Sequence, residues 1–193
     1  IENGNKENLL SYFMTFGSTI MMQTGSEYAD IFPVWNWNRV PGVTNPQVSK
    51  MPLRKDWGIM GTEKFVGGAS DNMYAVMAYA HKDDQIKDEV TTAQKAWFWF
   101  DDEILSLGAG IQSSSAFAVN TTLEQSLLLG DVTVFNNKAE AKLNKDSEQT
   151  YDQTATWVHH NNMGYVFPNG GKVSVSNKTQ KGTWQAINNN QSD

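Results

Sequence analysis

The sequence predicts an all-β fold, an antiparallel β-sandwich. Short runs rich in Val, Ile, Thr and aromatic residues recur along the chain, and Gly, Asn and Asp turns separate them at close spacing. Helical composition, by contrast, is confined to two polar stretches.

In chain order, Ser11–Phe16 and Thr19–Gln23 flank Gly17 as the two arms of a hairpin. Asn72–Tyr79 reads as a buried strand following a glycine turn at Gly67-Gly68. Lys95–Phe100 and Glu103–Gly108 form a pair that turns through Asp101-Asp102. Thr121–Leu129, Asp131–Phe135, Thr156–His160, Tyr165–Phe167 and Lys172–Ser176 continue the series. Asp84–Lys95 has helical composition but weak periodicity, so a helix and a polar connector are both open. Ala139–Gln149 is a charged, lysine-rich connector of the same kind. There is no internal repeat.

A chain of 193 residues with 39% apolar and 19% charged residues can bury a core of its own, and residues 1–193 are expected to form a single domain. It contains no cysteine, which removes disulfides and zinc–thiolate sites from consideration. No apolar run approaches the roughly 20 residues of a membrane-spanning helix, so no membrane partner is expected. The opening IENGNKENLL has no initiator methionine and the end INNNQSD is a polar tail, so a piece of a longer polypeptide is expected. The net charge of −6 argues against non-specific nucleic-acid binding.

Charge distribution is more informative than its sum. The two arginines, Arg39 and Arg54, fall close together, and from Ile31 to Lys55 there are four basic residues (with Lys50 and Lys55) and no acidic one. Trp35, Trp37 and Trp57 lie in or beside the same window. Within it, FPVWNWNRVPGVT alternates Trp35-Asn36-Trp37-Asn38 with the period of a strand, which would put both indoles on one face and both amides on the other. Pro33 and Pro41 make it an edge or a loop. Two readings are open: indoles closing the end of a core, or a mixed apolar and polar surface facing a sugar.

Other constellations are weaker. His159 and His160 are adjacent, so on a strand they point to opposite faces and cannot act on one metal or proton. Together with His81 they read as ordinary strand and loop residues. Asp71, Asp83-Asp84 and Asp101-Asp102 offer hard oxygen ligands of the kind calcium takes, but their spacing forms no EF-hand loop. Neither G-x-S-x-G nor G-x-x-x-x-G-K-[ST] occurs. Lys95-Ala-Trp-Phe-Trp-Phe is aromatic on both faces; one face is expected in the core, and the other can offer a tryptophan to a sugar ring.

Seven stretches stand in an order that resembles one family: NKENLLSYFMTFG, PVWNWNRVPGVT, FVGGASDNMYAVMAYA, KAWFWFDDEILSLGAGI, VNTTLEQS, GYVFPNGG and QKGTWQAINN. They resemble the central β domain of polysaccharide lyase family 8, whose members cleave chondroitin, hyaluronan and xanthan, and the chondroitin AC lyases most of all. The resemblance implies a galactose-mutarotase-like supersandwich belonging to a larger secreted or periplasmic bacterial enzyme. It further implies a partner absent from this chain, an N-terminal toroid of paired helices that carries the catalytic asparagine, histidine, tyrosine and arginine. The substrate would be an acidic polysaccharide, cleaved by β-elimination, and the isolated chain would be inactive.

By the same resemblance, Asn36 stands where AC-type relatives carry a glutamate that supports the catalytic arginine and tyrosine. Asparagine can hydrogen-bond there but cannot hold a positive charge. Trp35, Trp37, Asn38 and Arg39 would line the substrate cleft, and Trp97 matches a cleft aromatic residue. Calcium is a possible cofactor, with Asp71 and Asp83-Asp84 nearest the position where some members bind it. From a different class, a non-catalytic carbohydrate-binding module would use the same Trp and Arg surface with no helical partner.

Overall fold

The computed structural model describes residues 7–53, 60–86 and 88–188. Among them, regular structure consists of antiparallel β-strands and a few short 3-10 turns, without an α-helix. The chain forms two compact units. The first takes in the described residues of Ile1–Ile20, Asn36–Glu124 and Ile187–Ser192, and the second those of Met21–Trp35 and Gln125–Ala186.

In the first unit, β1 (Thr44–Pro46) pairs with β6 (Val119–Thr121), and β2 (Val66–Ser70), β3 (Ala75–Asp83), β4 (Thr91–Trp99) and β5 (Ile104–Ser113) form a meander in sequence order. Strand alternation sorts β4 by parity: Thr91, Ala93, Lys95 and Trp97 are buried. Register sets Tyr79 opposite Lys95, His81 opposite Ala93 and Asp83 opposite Thr91. One covered face of this sheet therefore carries hydroxyl, imidazole, carboxylate and ammonium groups beside the buried Trp97 ring, on the side of β4 that the sequence reading expected in the core. The candidate helix at Asp84–Lys95 is absent among the described residues, because from Thr91 onward the chain pairs residue by residue with β3. Lys95–Phe100 and Glu103–Gly108 do form the expected pair, as parts of the longer β4 and β5.

Two further expectations are corrected in this unit. Gly67 and Gly68 lie inside β2 rather than in a turn, and a Cβ on Gly68 would come within 2.6 Å of the Val76 carbonyl oxygen, so its absence lets two strands approach closely. The turn falls at Asp71–Tyr74 instead, where Asp71 Oδ1 accepts from the amides of Met73 (2.9 Å) and Tyr74 (2.7 Å), and Asn72 takes φ +76°. The hairpin expected around Gly17 is also absent. Tyr12–Thr15 is a 3-10 turn, since Tyr12 and Phe13, adjacent in sequence, are both buried, and a strand would send them to opposite faces. Their rings meet edge to face at 5.0 Å.

In the second unit, β7 (Thr133–Phe135), β8 (Glu140–Lys142), β10 (Trp157–His160) and β11 (Met163–Val166) form a sheet in the order β11-β10-β7-β8. A second sheet pairs β9 (Ser147–Asp152) with β12 (Lys172–Asn177). Asn161 and Asn162, both at positive φ, make the two-residue turn between β10 and β11. Val132, Val134, Leu143, Tyr151, Ala155 and Val158 form the core. The connector expected over Ala139–Gln149 instead contributes β8 and the start of β9; Glu140 and Lys142 belong to the exposed edge strand β8, where charge discourages further pairing. The strand expected over Thr121–Leu129 ends at Thr121, and farther along the Leu127 amide donates to the Glu27 carbonyl.

Candidate functional site

The proline-bounded tryptophan segment is a succession of turns. Pro33 opens a 3-10 turn over Phe32–Val34, where a missing amide hydrogen costs nothing. Asn36 then closes a second turn: its carbonyl accepts from the Arg39 amide at 2.8 Å, and its Oδ1 accepts from the Asn38 amide at 3.1 Å. The strand expected here is thus replaced by turns, because the short asparagine side chain offers the backbone a local partner. The expected alternation of faces survives in burial. Trp35 and Trp37 are 5% and 4% exposed, Asn36 is exposed, and Asn38 and Arg39 are half-buried.

Trp35, Asn38 and Trp97 each have a definite anchor. Trp35, in the second unit, donates from Nε1 to the Gln125 carbonyl at 3.1 Å and packs on Phe32. Asn36–Arg39 belong to the first unit. Asn38 donates from Nδ2 to the Val48 carbonyl at 2.7 Å, and its own carbonyl accepts from Gln47 Nε2 at 3.0 Å. Trp97 is 4% exposed and lies parallel to Tyr79, with ring centroids 5.8 Å apart. The Lys95 ammonium sits 5.3 Å from the centre of the Trp97 ring. Lys50 is exposed, while Arg54, Lys55 and Trp57 of the basic window lie outside the described residues.

Neither amides nor a guanidinium change protonation near neutral pH. Asn36, Asn38 and Arg39 can therefore orient a ligand and neutralise an anion, but they cannot carry a proton through a reaction.

Several titratable groups elsewhere are committed to the fold. His81 is 3% exposed, and burial, reinforced by the nearby Lys95 charge, pulls its pKa down to about 4. His159 is exposed, whereas His160 accepts the Leu129 amide at its Nε2, so the strand does separate the pair. Asp83 accepts the Tyr12 hydroxyl at 2.9 Å, and Asp84 pairs with Lys82 at 3.2 Å. Asp71 spends its Oδ1 on its own turn, and those amides hold its carboxyl below the usual range. Among the described residues no three His, Cys, Asp or Glu side chains gather as a metal site.

Sequence reading missed Lys95, His81 and Tyr79 as one covered cluster. A signal was present in TTAQKAW, whose alternate residues are Thr91, Ala93, Lys95 and Trp97, but the helical composition of the preceding stretch obscured it.

Against known proteins, residues 1–193 match the super-sandwich domain of polysaccharide lyase family 8. The chain is 42% identical to chondroitinase-AC of Pedobacter heparinus over 99% of its own length and 26% of that protein. It is 32% identical to a hyaluronate lyase of Thermasporomyces composti, covering 97% of this chain and 24% of the relative. A solved chondroitinase AC lyase, studied in oligosaccharide complexes, superposes with a TM-score of 0.87 at 41% identity, over 98% of this chain and 27% of that one. The chain thus spans about a quarter of the length of the relatives it matches. Fold and sequence agree along the whole chain, and it belongs to polysaccharide lyase family 8 as a super-sandwich domain.

Proposed function

We propose that this chain is the central β domain of a secreted or periplasmic lyase acting on acidic glycosaminoglycans of the chondroitin or hyaluronan type. The observation that carries the reading is the Asn36–Arg39 turn, which presents an exposed amide beside a half-buried amide and guanidinium, in a chain 42% identical to a chondroitinase-AC. Asn36, Asn38 and Arg39 contact the sugar, while the indoles of Trp37 and Trp97 are buried.

The chemistry assigns the remaining work to other parts of the polypeptide. A base removes the proton from C5 of a uronate, the electron pair forms the C4–C5 double bond, and the C4–O bond breaks as its oxygen takes a proton. Neutralising the uronate carboxylate acidifies C5 and stabilises the developing charge. Arg39 can contribute to that neutralisation, while base and acid belong to a helical domain of the same polypeptide. This chain's contribution is to hold the polysaccharide in register.

Calorimetric titration of the protein with chondroitin, hyaluronan and neutral oligosaccharides, alongside Asn36→Ala, tests the reading. Acidic sugars should bind, and the variant should lose about tenfold in affinity, the equivalent of one hydrogen bond. Equal affinity in both proteins would refute a contact at Asn36. The isolated chain should release no unsaturated uronate from pure substrate; product above background would show that it carries the proton-transfer groups itself.

A further inference from the structure

The loop downstream of Arg39 is stitched to its surroundings at nearly every residue. The Pro41 carbonyl accepts the Thr19 amide at 2.9 Å, and the Gly42 amide donates to the Thr122 carbonyl at 2.8 Å. Gly42 adopts φ +84°, and a Cβ there would meet Gly17 O and Thr19 N at 2.5 Å. The Gly42 carbonyl accepts from Lys95 Nζ. Thr44 Oγ1 accepts from the same ammonium at 3.1 Å and shares a 2.8 Å hydrogen bond with Thr121 Oγ1. Lys95 is 6% exposed and forms no carboxylate pair among the described residues. A buried, unpaired cation is an expensive way to fill space, and apolar side chains would do so at lower cost. What the ammonium does here is gather two acceptors, one in the loop that follows Arg39 and one at the start of β1.

We infer that Lys95 is a positioning residue for the substrate segment, its ammonium clamping Gly42 and Thr44 so that Asn36–Arg39 keep their turn, and that sugar recognition depends on Lys95 keeping its proton. The inference rests on the Asn36–Arg39 reading above.

Chargeable groups on the elements around Lys95 are Tyr79, His81, Lys82 and Asp83 on β3, of which Lys82 pairs with Asp84, Tyr12 on the N-terminal 3-10 turn, and Arg39 on the loop itself. Strands β1, β2, β5 and β6 carry no titratable residue. Burial lowers Lys95 to about 8, raises Tyr79 to about 12 and, with Lys95, lowers His81 to about 4. Tyr79 and His81 therefore do not change charge where Lys95 does. Deprotonation takes the charge assistance from both contacts, to Gly42 and to Thr44, and removes the cation from beside the Trp97 ring.

The test uses the intact protein, with binding of an acidic chondroitin oligosaccharide and tryptophan fluorescence followed from about pH 7 to about pH 9. Wild-type affinity should fall about tenfold with a midpoint near 8, the loss of one charge-assisted contact, and fluorescence should change over the same range. Lys95→Met should bind at the weakened level with a flat profile. Thr44→Val removes one acceptor and keeps the lysine. It should move the midpoint to lower pH, because the charged form loses a partner; this holds even if Lys95→Met fails to fold. A flat wild-type binding profile, an alkaline fall that persists in Lys95→Met, or an unmoved midpoint in Thr44→Val overturns the positioning role and leaves the binding segment standing. Absence of binding by the wild type at any pH overturns both.

Discussion

His81 should make the fold acid-sensitive. Its ring is 3% exposed, packed edge-on against Phe16 at 5.3 Å and Tyr79 at 6.1 Å, and its Nε2 has no hydrogen-bond partner among the described residues. Burial, and secondly the Lys95 charge, lower the folded-state pKa from 6.5 to about 4. The unfolded chain therefore takes up this proton first as pH falls, and stability drains away through that interval. The full contribution is present above pH 6.5 and is lost as pH falls toward 4. At about 1.36 kcal/mol per pKa unit, linkage predicts a loss of roughly 2 kcal/mol by pH 5 and roughly 3 kcal/mol by pH 4. Urea unfolding of wild type and His81→Phe at a series of pH values separates this loss from that of the carboxylates, which titrate in both proteins. The variant keeps an aromatic ring in the cluster and lacks the proton. Wild type should lose that much more stability than the variant across the interval. Parallel curves would mean that His81 is solvated or paired in the folded state, and would refute the reasoning from burial.

Other perturbations follow from the same contacts. Gly42→Ala should destabilise the first unit by at least about 2 kcal/mol, seen as a lowered Tm, since it adds left-handed strain to a clash with backbone. Tyr12→Phe should cost about 1–3 kcal/mol in urea unfolding by removing a buried donor to Asp83. Glu27, whose carboxylate accepts the amides of Gln23, Thr24 and Gly25, has its pKa lowered by backbone hydrogen bonding. Glu27→Gln should lower Tm at neutral pH, and the difference from wild type should shrink as pH falls through the range where Glu27 itself protonates. Leu105 and Leu107 are 46% and 48% exposed on β5, so this chain alone should bind an apolar dye, and Leu105→Lys should reduce the signal.

Much of the fold is legible in the sequence because strand formation leaves a local, period-two trace. Asp131–Phe135, Thr156–His160, Tyr165–Phe167 and Lys172–Ser176 each announce a strand within a few residues, and the Asp101-Asp102 turn lies where expected. The failures share a cause. Around Tyr12 and across Trp35–Asn38 the apolar spacing suits a strand, but local hydrogen bonds close turns that satisfy the same burial. Periodicity reports which side chains face inward, not which backbone turns them there.

The sequence alone determined the all-β class, the family resemblance and the presence of a basic, tryptophan-rich segment, since each is written in residue type and order. Tertiary structure decided that Trp35, Trp37 and Trp97 are interior and that Asn36 is the residue left in solvent. It also decided that Lys95 lies buried against Gly42 and Thr44, which are 53 and 51 positions away in the sequence. Burial is a property of what packs opposite, and strand pairing brings that partner from a distant part of the chain, beyond the reach of any local pattern.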